Sequence, residues 1–150
     1  MKSLLALLLS CTGLLASDDI RLTTTAKTNA QTGRVTVREV FTRGGHTNLV
    51  RVTTSKEGML VSRVHRFYYH RKLVADHMML PGKDTSFMTT TAGFSLSLDF
   101  GPSKAITRAY IGNKKGEIIE AYTTTDGILT PVSASELKSI RKSTATWGEW

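Results

Sequence analysis

The chain has 150 residues, a formal net charge of +8 at pH 7 and a single cysteine. This length supports one domain with one hydrophobic core. One cysteine excludes a disulfide within the chain, so the fold depends on its apolar core. The excess of basic residues favours an anionic partner, such as an anionic polymer, a lipid headgroup or an acidic protein.

Residues 1–16 have the layout of a secretory signal peptide. Lys2 supplies a basic start, an apolar run follows from Leu4 to Leu9, and Ala16 provides a small residue at the cleavage position. The apolar run is too short for a transmembrane helix, which needs about 20 residues. The pattern predicts cleavage after Ala16 and export to the periplasm or the cell exterior. An alternative is lipidation at Cys11, which would give membrane association.

Residues 17–33 are polar and predict either an N-terminal arm or a first strand, and residues 34–150 predict a single β-rich domain. From Arg34 to Arg43, β-branched residues alternate with polar ones, as in a half-buried strand. The segments 48–54 and 59–69 continue this pattern after glycine-containing turns. In the second of these, the apolar phase slips near Ser62, which predicts a β-bulge.

The second half of the chain continues in the same way and ends in a helix. Phe94–Phe100 alternates regularly, so Phe94, Leu96, Leu98 and Phe100 are expected to share a buried face. The segment 112–116 predicts a hairpin turn because it is rich in Gly, Asn and Lys. Ser133 stands three residues before Glu136, a capping-box spacing that predicts a short C-terminal helix.

These elements predict a mainly β fold, an antiparallel meander of about eight to ten strands with a short C-terminal helix. Too few helical segments separate the strands for a parallel sheet, which requires crossover connections. Three arrangements remain open: an open twisted sheet, a barrel and a two-sheet sandwich.

The segment Val61–Leu80 concentrates basic, aromatic and imidazole side chains on a predicted hairpin. Alternation along a strand places Arg63, His65, Phe67 and Tyr69 on one face and Arg66 on the other. Guanidinium groups beside aromatic rings can attract an anion and stack flat groups. The candidate ligand-binding residues are therefore Arg63, His65, Arg66, Phe67 and Tyr69. The alternative interpretation is a solvated sheet face whose side chains pack on one another.

Three histidines of this hairpin, His65, His70 and His77, offer a second hypothesis. Imidazoles suit zinc or copper, but these three lie on different strands and form no short His-x-His pair. The chain also lacks a nucleophile elbow and a phosphate-cradling loop. We therefore expect no metal, no cofactor and no catalytic residues, and the chain is not expected to be an enzyme.

These observations lead to one preferred function and one alternative. The preferred function is that of an exported, non-enzymatic β domain that binds an anionic ligand, an envelope surface or a protein partner through a basic-aromatic sheet face. Nucleic acid is a disfavoured partner because export separates the chain from it. The alternative is a small exported enzyme or metal-binding protein that uses His65, His70 and His77.

Overall fold

The computed structural model describes residues 8–14, 20–81, 85–102, 105–125 and 128–145. These residues contain eleven strands and one helix, and all strand pairs are antiparallel. The predicted mainly β fold with a C-terminal helix is confirmed. The first strand lies inside the predicted signal peptide, and the ten that follow match the predicted number.

The first seven strands form one sheet in which each strand pairs with the next, so this sheet is a meander. Consecutive pairing through short turns is what alternating segments separated by glycine-containing turns produce. Its strands are β1 (Leu8–Leu14), β2 (Ile20–Asn29), β3 (Arg34–Arg43), β4 (His46–Lys56), β5 (Met59–Tyr69), β6 (Lys72–Leu80) and β7 (Thr85–Thr90).

The remaining four strands form a second meander in the order β11-β10-β9-β8. The helix α1 (Ala134–Ala145) follows the last strand. The strands of this second sheet are β8 (Ser95–Phe100), β9 (Ile106–Gly112), β10 (Ile118–Thr125) and β11 (Ile128–Pro131).

The main core lies between one end of the first sheet and the second sheet. It joins Phe41, Leu49 and Phe67 of the first sheet to Ile111 and Tyr122 of the second. The rings of Phe67 and Tyr122 meet edge to face, with centroids 5.0 Å apart. This packing defines the inner face of the first sheet, the side that contacts the second sheet. The described strands thus form a two-sheet arrangement, one of the three that the sequence left open.

The bulge predicted near Ser62 lies one residue away. Thr54 pairs with Ser62, whereas the next residue, Ser55, pairs with Leu60, so Val61 is the extra residue on β5. An extra residue restores the alternation that the apolar phase slip had broken. After the bulge β5 alternates regularly, so Arg63 and His65 lie on the same face as Phe67.

The buried face expected for Phe94–Phe100 is confirmed for three of its four apolar residues. Leu96 is buried, and Phe94 and Leu98 are half-buried against the core. Phe100 is 54% exposed. The register between β8 and β9 shifts at this point, because Asp99 pairs with Arg108 but Phe100 pairs with Ile106. At this register shift the end of β8 lies away from the core, so the expectation that Phe100 is buried was wrong.

The C-terminal helix begins where the capping pattern predicts. The Glu136 amide donates to Ser133 Oγ at 3.2 Å, which satisfies one of the free N–H groups of the first turn. Leu137 is buried and Ile140 half-buried, and both pack on β10. Within the described part of the chain, no helix is long and apolar enough to cross a membrane.

Strand β1 occupies Leu8–Leu14, within the predicted signal peptide, and pairs with β2 over seven residues. Cleavage after Ala16 would remove this strand and leave β2 at the edge of the sheet. Residues 20–29, which the sequence placed in either an arm or a first strand, form the strand.

Candidate functional site

Four side chains that the sequence separates by up to 38 positions lie in one row across the inner face. Glu39 of β3 pairs with Arg51 of β4, Arg51 pairs with His65 of β5, and His65 pairs with His77 of β6. Directly opposed residues of an antiparallel sheet project to the same side, so the four side chains are neighbours. Arg63 lies one row further from the core on β5. We call these five residues the inner-face cluster.

All four side chains of the row are buried, although all four are ionisable groups that usually remain in water. Their exposed fractions are 8% for Glu39, 7% for Arg51, 4% for His65 and 2% for His77. A buried charge is costly unless it is paired. Arg51 meets this requirement, because its Nε and Nη2 contact Glu39 Oε2 at 2.6 and 2.5 Å.

The two histidines lie side by side with few polar contacts. Their ring centroids are 6.1 Å apart, and the ring planes differ by 24°. Nδ1 of His65 and both ring nitrogens of His77 are buried and have no hydrogen-bond partner among the described residues. Buried nitrogens without partners are uncommon in folded proteins, and each one calls for an explanation.

Burial keeps both imidazoles neutral at physiological pH. Desolvation, with the charges of Arg51, His77 and Arg63, lowers the pKa of His65 to about 3. Desolvation also lowers the pKa of His77, and the Asp76 carboxylate opposes this shift. Each ring therefore has one N–H donor and one nitrogen acceptor to offer.

Arg63 carries a charge that the cluster does not balance. The residue is half-buried, and its Nε is buried without a partner in the part of the chain that the structure describes. Desolvation and the charge of Arg51 lower the pKa of Arg63, and the Glu39 carboxylate opposes this. A guanidinium stays protonated in proteins despite such shifts. The cluster thus contains two guanidinium groups and one carboxylate, an excess of one positive charge.

The candidate ligand-binding residues predicted from the sequence separate into four groups. Arg63 and His65 lie together in the inner-face cluster. Phe67 shares their face but has 0% exposure and belongs to the core, so it is not on the expected surface. The reason is that the second sheet covers this end of the face. Arg66 lies on the outer face, exposed, opposite Asp76.

Tyr69 lies at the margin of the core, next to the turn that ends β5. Its ring is 6.4 Å from that of Phe94 and 4.2 Å from that of His70. It is therefore close to the second sheet and two rows away from His65. The turn between β5 and β6 contains no glycine. It is formed by His70 and Arg71, whose φ angles are 46° and 66°.

The three histidines of the alternative hypothesis do not come together. His65 and His77 are neighbours, whereas His70 is exposed in the turn and contacts Tyr69. Among the described residues, no group of three or more His, Cys, Asp or Glu side chains is arranged to hold a metal ion.

Sequence reasoning missed Glu39 and Arg51 as partners of this cluster. A signal was available for Glu39, because it has the same strand phase as Val37 and Phe41 and so interrupts an apolar face with a charge. Arg51 alternates with Val50 and Val52 in the sequence, which places it on the opposite face of its strand. That its face is the inner one follows only from the pairing of Leu49 with Phe41 and Phe67.

A second buried polar group joins the two sheets. Arg43 Nη1 contacts Glu120 Oε2 at 3.0 Å, and its Nη2 donates to the Val132 carbonyl. Asn48 Nδ2 donates to Glu120 Oε1 at 3.3 Å, and the Tyr122 hydroxyl donates to the Asn48 carbonyl at 3.1 Å. We call Arg43, Asn48, Glu120 and Tyr122 the inter-sheet cluster.

The pKa values within the inter-sheet cluster reflect its burial. Desolvation raises the pKa of Glu120, and the nearby Arg43 guanidinium opposes this rise. Desolvation and the Glu120 charge raise the pKa of the Tyr122 hydroxyl. The cluster positions one sheet on the other, since its bonds connect β3 and β4 with β10 and the segment after β11.

A cleft of about 510 Å³ lies between the C-terminal half of α1 and the β9–β10 hairpin, and Tyr69 is among its lining residues. Arg141 lines it, but its Nε and Nη2 already donate to the carbonyls of Ile118 and Ile119 at 2.7 and 3.1 Å. These bonds attach the helix to the sheet, so the guanidinium has a structural role. The inner-face cluster is the stronger candidate site.

Comparison with known proteins found no match: no family model, no curated protein and no solved structure is significantly similar to this chain.

Proposed function

We propose that this chain is an exported, non-enzymatic β domain that binds an anionic ligand at the inner-face cluster. The observation that carries the proposal is the half-buried Arg63, whose guanidinium has no carboxylate of its own and whose buried Nε has no partner among the described residues. Glu39, the one carboxylate of the cluster, is already paired with Arg51.

The energetic argument rests on unsatisfied donors. A buried donor without a partner costs about 1–3 kcal/mol, and more when it is charged. An anion that accepts from the half-buried Arg63 guanidinium would reduce this cost. Charge-assisted hydrogen bonds to guanidinium are also among the stronger polar contacts in proteins.

The same charges oppose a cation at this position. A metal ion bound by His65 and His77 would lie close to Arg51 and Arg63, whose charges already lower the pKa of His65. A neighbouring like charge destabilises any further positive charge. The three unpartnered ring nitrogens are the one feature that favours the metal-binding alternative.

The chemistry of His65 also supports binding rather than catalysis. A general base works best when its pKa lies near the working pH. With a pKa of about 3, His65 is a weak base and would accept a proton poorly at neutral pH. A neutral imidazole of this kind suits hydrogen bonding to a ligand.

The experiment compares anion binding by the wild-type chain and by two arginine variants. Binding of acetate and of inorganic phosphate is measured by titration calorimetry at constant ionic strength. We expect Arg63→Gln to weaken binding at least tenfold. The matched control, Arg66→Gln, removes an arginine three residues away on the outer face and should leave binding unchanged.

Two results would overturn this proposal. One is the absence of any binding of these anions or of longer carboxylates by the wild-type chain. The other is an equal loss of affinity in the two variants, which would indicate a general charge effect or an envelope surface bound through the outer face. Titration with Zn²⁺ and Cu⁺, alone and with His77→Gln, tests the metal-binding alternative separately.

The exported state has its own test. N-terminal sequencing or intact mass of the protein recovered from its native cells should give Ser17 as the first residue. A first residue of Cys11 carrying a lipid would support the lipoprotein alternative. An intact Met1 would contradict export by this route.

A further inference from the structure

Two rows of side chains flank the buried row of the inner-face cluster, and they differ in whether the second sheet covers them. Neighbouring rows on one face of a sheet are about 7 Å apart, since each residue advances the strand by about 3.4 Å. On the core side, the row of Phe41, Leu49 and Phe67 is covered by the second sheet. On the other side, Arg63 shares its row with half-buried residues of neighbouring strands. These are Ala26, Val37, Thr53 and Met79.

The apolar members of this outer row belong to neither core cluster. Ala26, Val37 and Met79 are each half-buried, and Val35 extends the apolar surface one row further along β3. None of them is among the residues that pack against either cluster in the described part of the chain. The inner face therefore presents an apolar surface directly beside a guanidinium with an unsatisfied donor.

From this arrangement we infer that the ligand is an amphipathic monocarboxylate, with its carboxylate on Arg63 and its alkyl chain across Thr53 toward Val37 and Ala26. This inference deepens the proposed anion-binding function and rests on it. The charge complementarity is specific, because the cluster has an excess of one positive charge. A phosphate monoester dianion would bring a second negative charge close to Glu39 and is disfavoured.

The inference predicts a dependence on chain length. Each methylene that is fully buried contributes about a fourfold gain in affinity. Affinity of the full-length chain for butanoate, hexanoate and octanoate, measured by titration calorimetry below micellar concentrations, should rise about two- to fourfold per methylene. Octanol and octyltrimethylammonium should bind at least tenfold more weakly than octanoate, since each lacks the negative charge.

A matched pair of variants locates the alkyl chain. Val37→Thr should weaken octanoate binding severalfold and leave butanoate binding nearly unchanged. Val40→Thr makes the same change on the outer face of the same strand and should leave both affinities unchanged. Met79→Gln changes the opposite flank of Arg63 and should weaken octanoate binding less than Val37→Thr does.

The outcomes separate the two proposals. Affinities that do not change from butanoate to octanoate would overturn the amphipathic ligand while leaving the anion site standing. Binding of octanol as tight as that of octanoate would contradict the role of Arg63. If no carboxylate of any length binds, both proposals fail.

Discussion

The inter-sheet cluster and the inner-face cluster are both buried, both contain arginine and both contain a single carboxylate, yet they are connected differently. In the inter-sheet cluster, Glu120 accepts from both Arg43 and Asn48, and Arg43 also donates to a carbonyl. In the inner-face cluster, Glu39 accepts from Arg51 alone. Buried atoms without partners occur in both clusters: Arg43 Nε and Asn48 Oδ1 in the first, Arg63 Nε and ring nitrogens of His65 and His77 in the second. The difference is that Arg43 is paired with a carboxylate, whereas Arg63 has none among the described residues.

This difference separates a structural group from the proposed binding site. Burial of a charge does not by itself indicate function, because the side chains of Arg43 and Arg51 are both largely buried and both paired. The balance of charges is more informative. A cluster in which each guanidinium has a carboxylate holds the fold together, whereas a cluster with one guanidinium in excess has capacity for an anion.

Breaking the inter-sheet cluster should have the largest effect on stability. Glu120→Ala leaves the Arg43 guanidinium buried without its carboxylate, and losing one partner of a buried pair typically costs about 3–5 kcal/mol. Urea denaturation should show a loss of this size in the free energy of unfolding. The double variant Arg43→Met, Glu120→Leu should recover most of it. A loss below about 1 kcal/mol in the single variant would contradict the structural role.

Acid should destabilise the protein through the inner-face cluster. The pKa of His65 is about 3 in the folded protein and about 6.5 in the unfolded chain, so only the unfolded chain takes up this proton between these values. Stability is therefore fully present above about pH 6.5 and falls as the pH decreases toward 3. At about pH 4.5 the loss amounts to about 3 kcal/mol.

A histidine variant isolates this contribution. The pH dependence of the urea midpoint should become much flatter in His65→Gln over this range. His46→Gln changes an exposed histidine at the start of β4 and should keep the wild-type profile. If both variants retain the full acid sensitivity, carboxylates and not His65 control it.

The turn between β5 and β6 provides a reference outside both clusters. His70 and Arg71 have positive φ angles, which cost non-glycine residues about 1–2 kcal/mol each. Replacing them by Asn and Gly, the preferred residues of this turn type, should stabilise the protein by about 1 kcal/mol or more. Thermal unfolding measures the gain. A destabilised variant would show that the side chains of His70 and Arg71 contribute more than their strain costs.

The smallest effect is expected at Arg63. Replacing it by Met removes an unsatisfied donor and a buried like charge beside Arg51, so stability without ligand should change by less than about 1 kcal/mol in either direction. The comparison with Arg43→Met, which should cost several times more, is the sharpest test of the distinction between the two clusters. A similar large loss in both variants would remove the basis for calling the inner-face cluster a binding site.

Much of the fold follows from local patterns. Period-two alternation, glycine-containing turns and the capping box at Ser133 account for the antiparallel meander, the hairpin at residues 112–116 and the helix. The slip in apolar phase predicted the bulge at Val61 to within one residue. Phe100 escaped prediction because the β8–β9 register shift that exposes it depends on how the neighbouring strand pairs.

The candidate site was predictable only in part. Alternation placed Arg63 and His65 on one face of a strand and Arg66 on the other, as the structure has them. Side chains of one strand have fixed relative directions, so this much is a local property of the chain. Whether a given face meets water or protein is not local.

What the sequence by itself determined is therefore the class of fold, the turns and the direction of each side chain along its own strand. What only the tertiary structure decided is which face is buried and which distant residues meet there. The second sheet covers the row of Phe67 and turns a predicted surface into core, and strand register brings Glu39 and Arg51 beside His65. Long-range packing sets the exposure and the partners of a charge, and these two properties distinguish the inner-face cluster from the inter-sheet cluster.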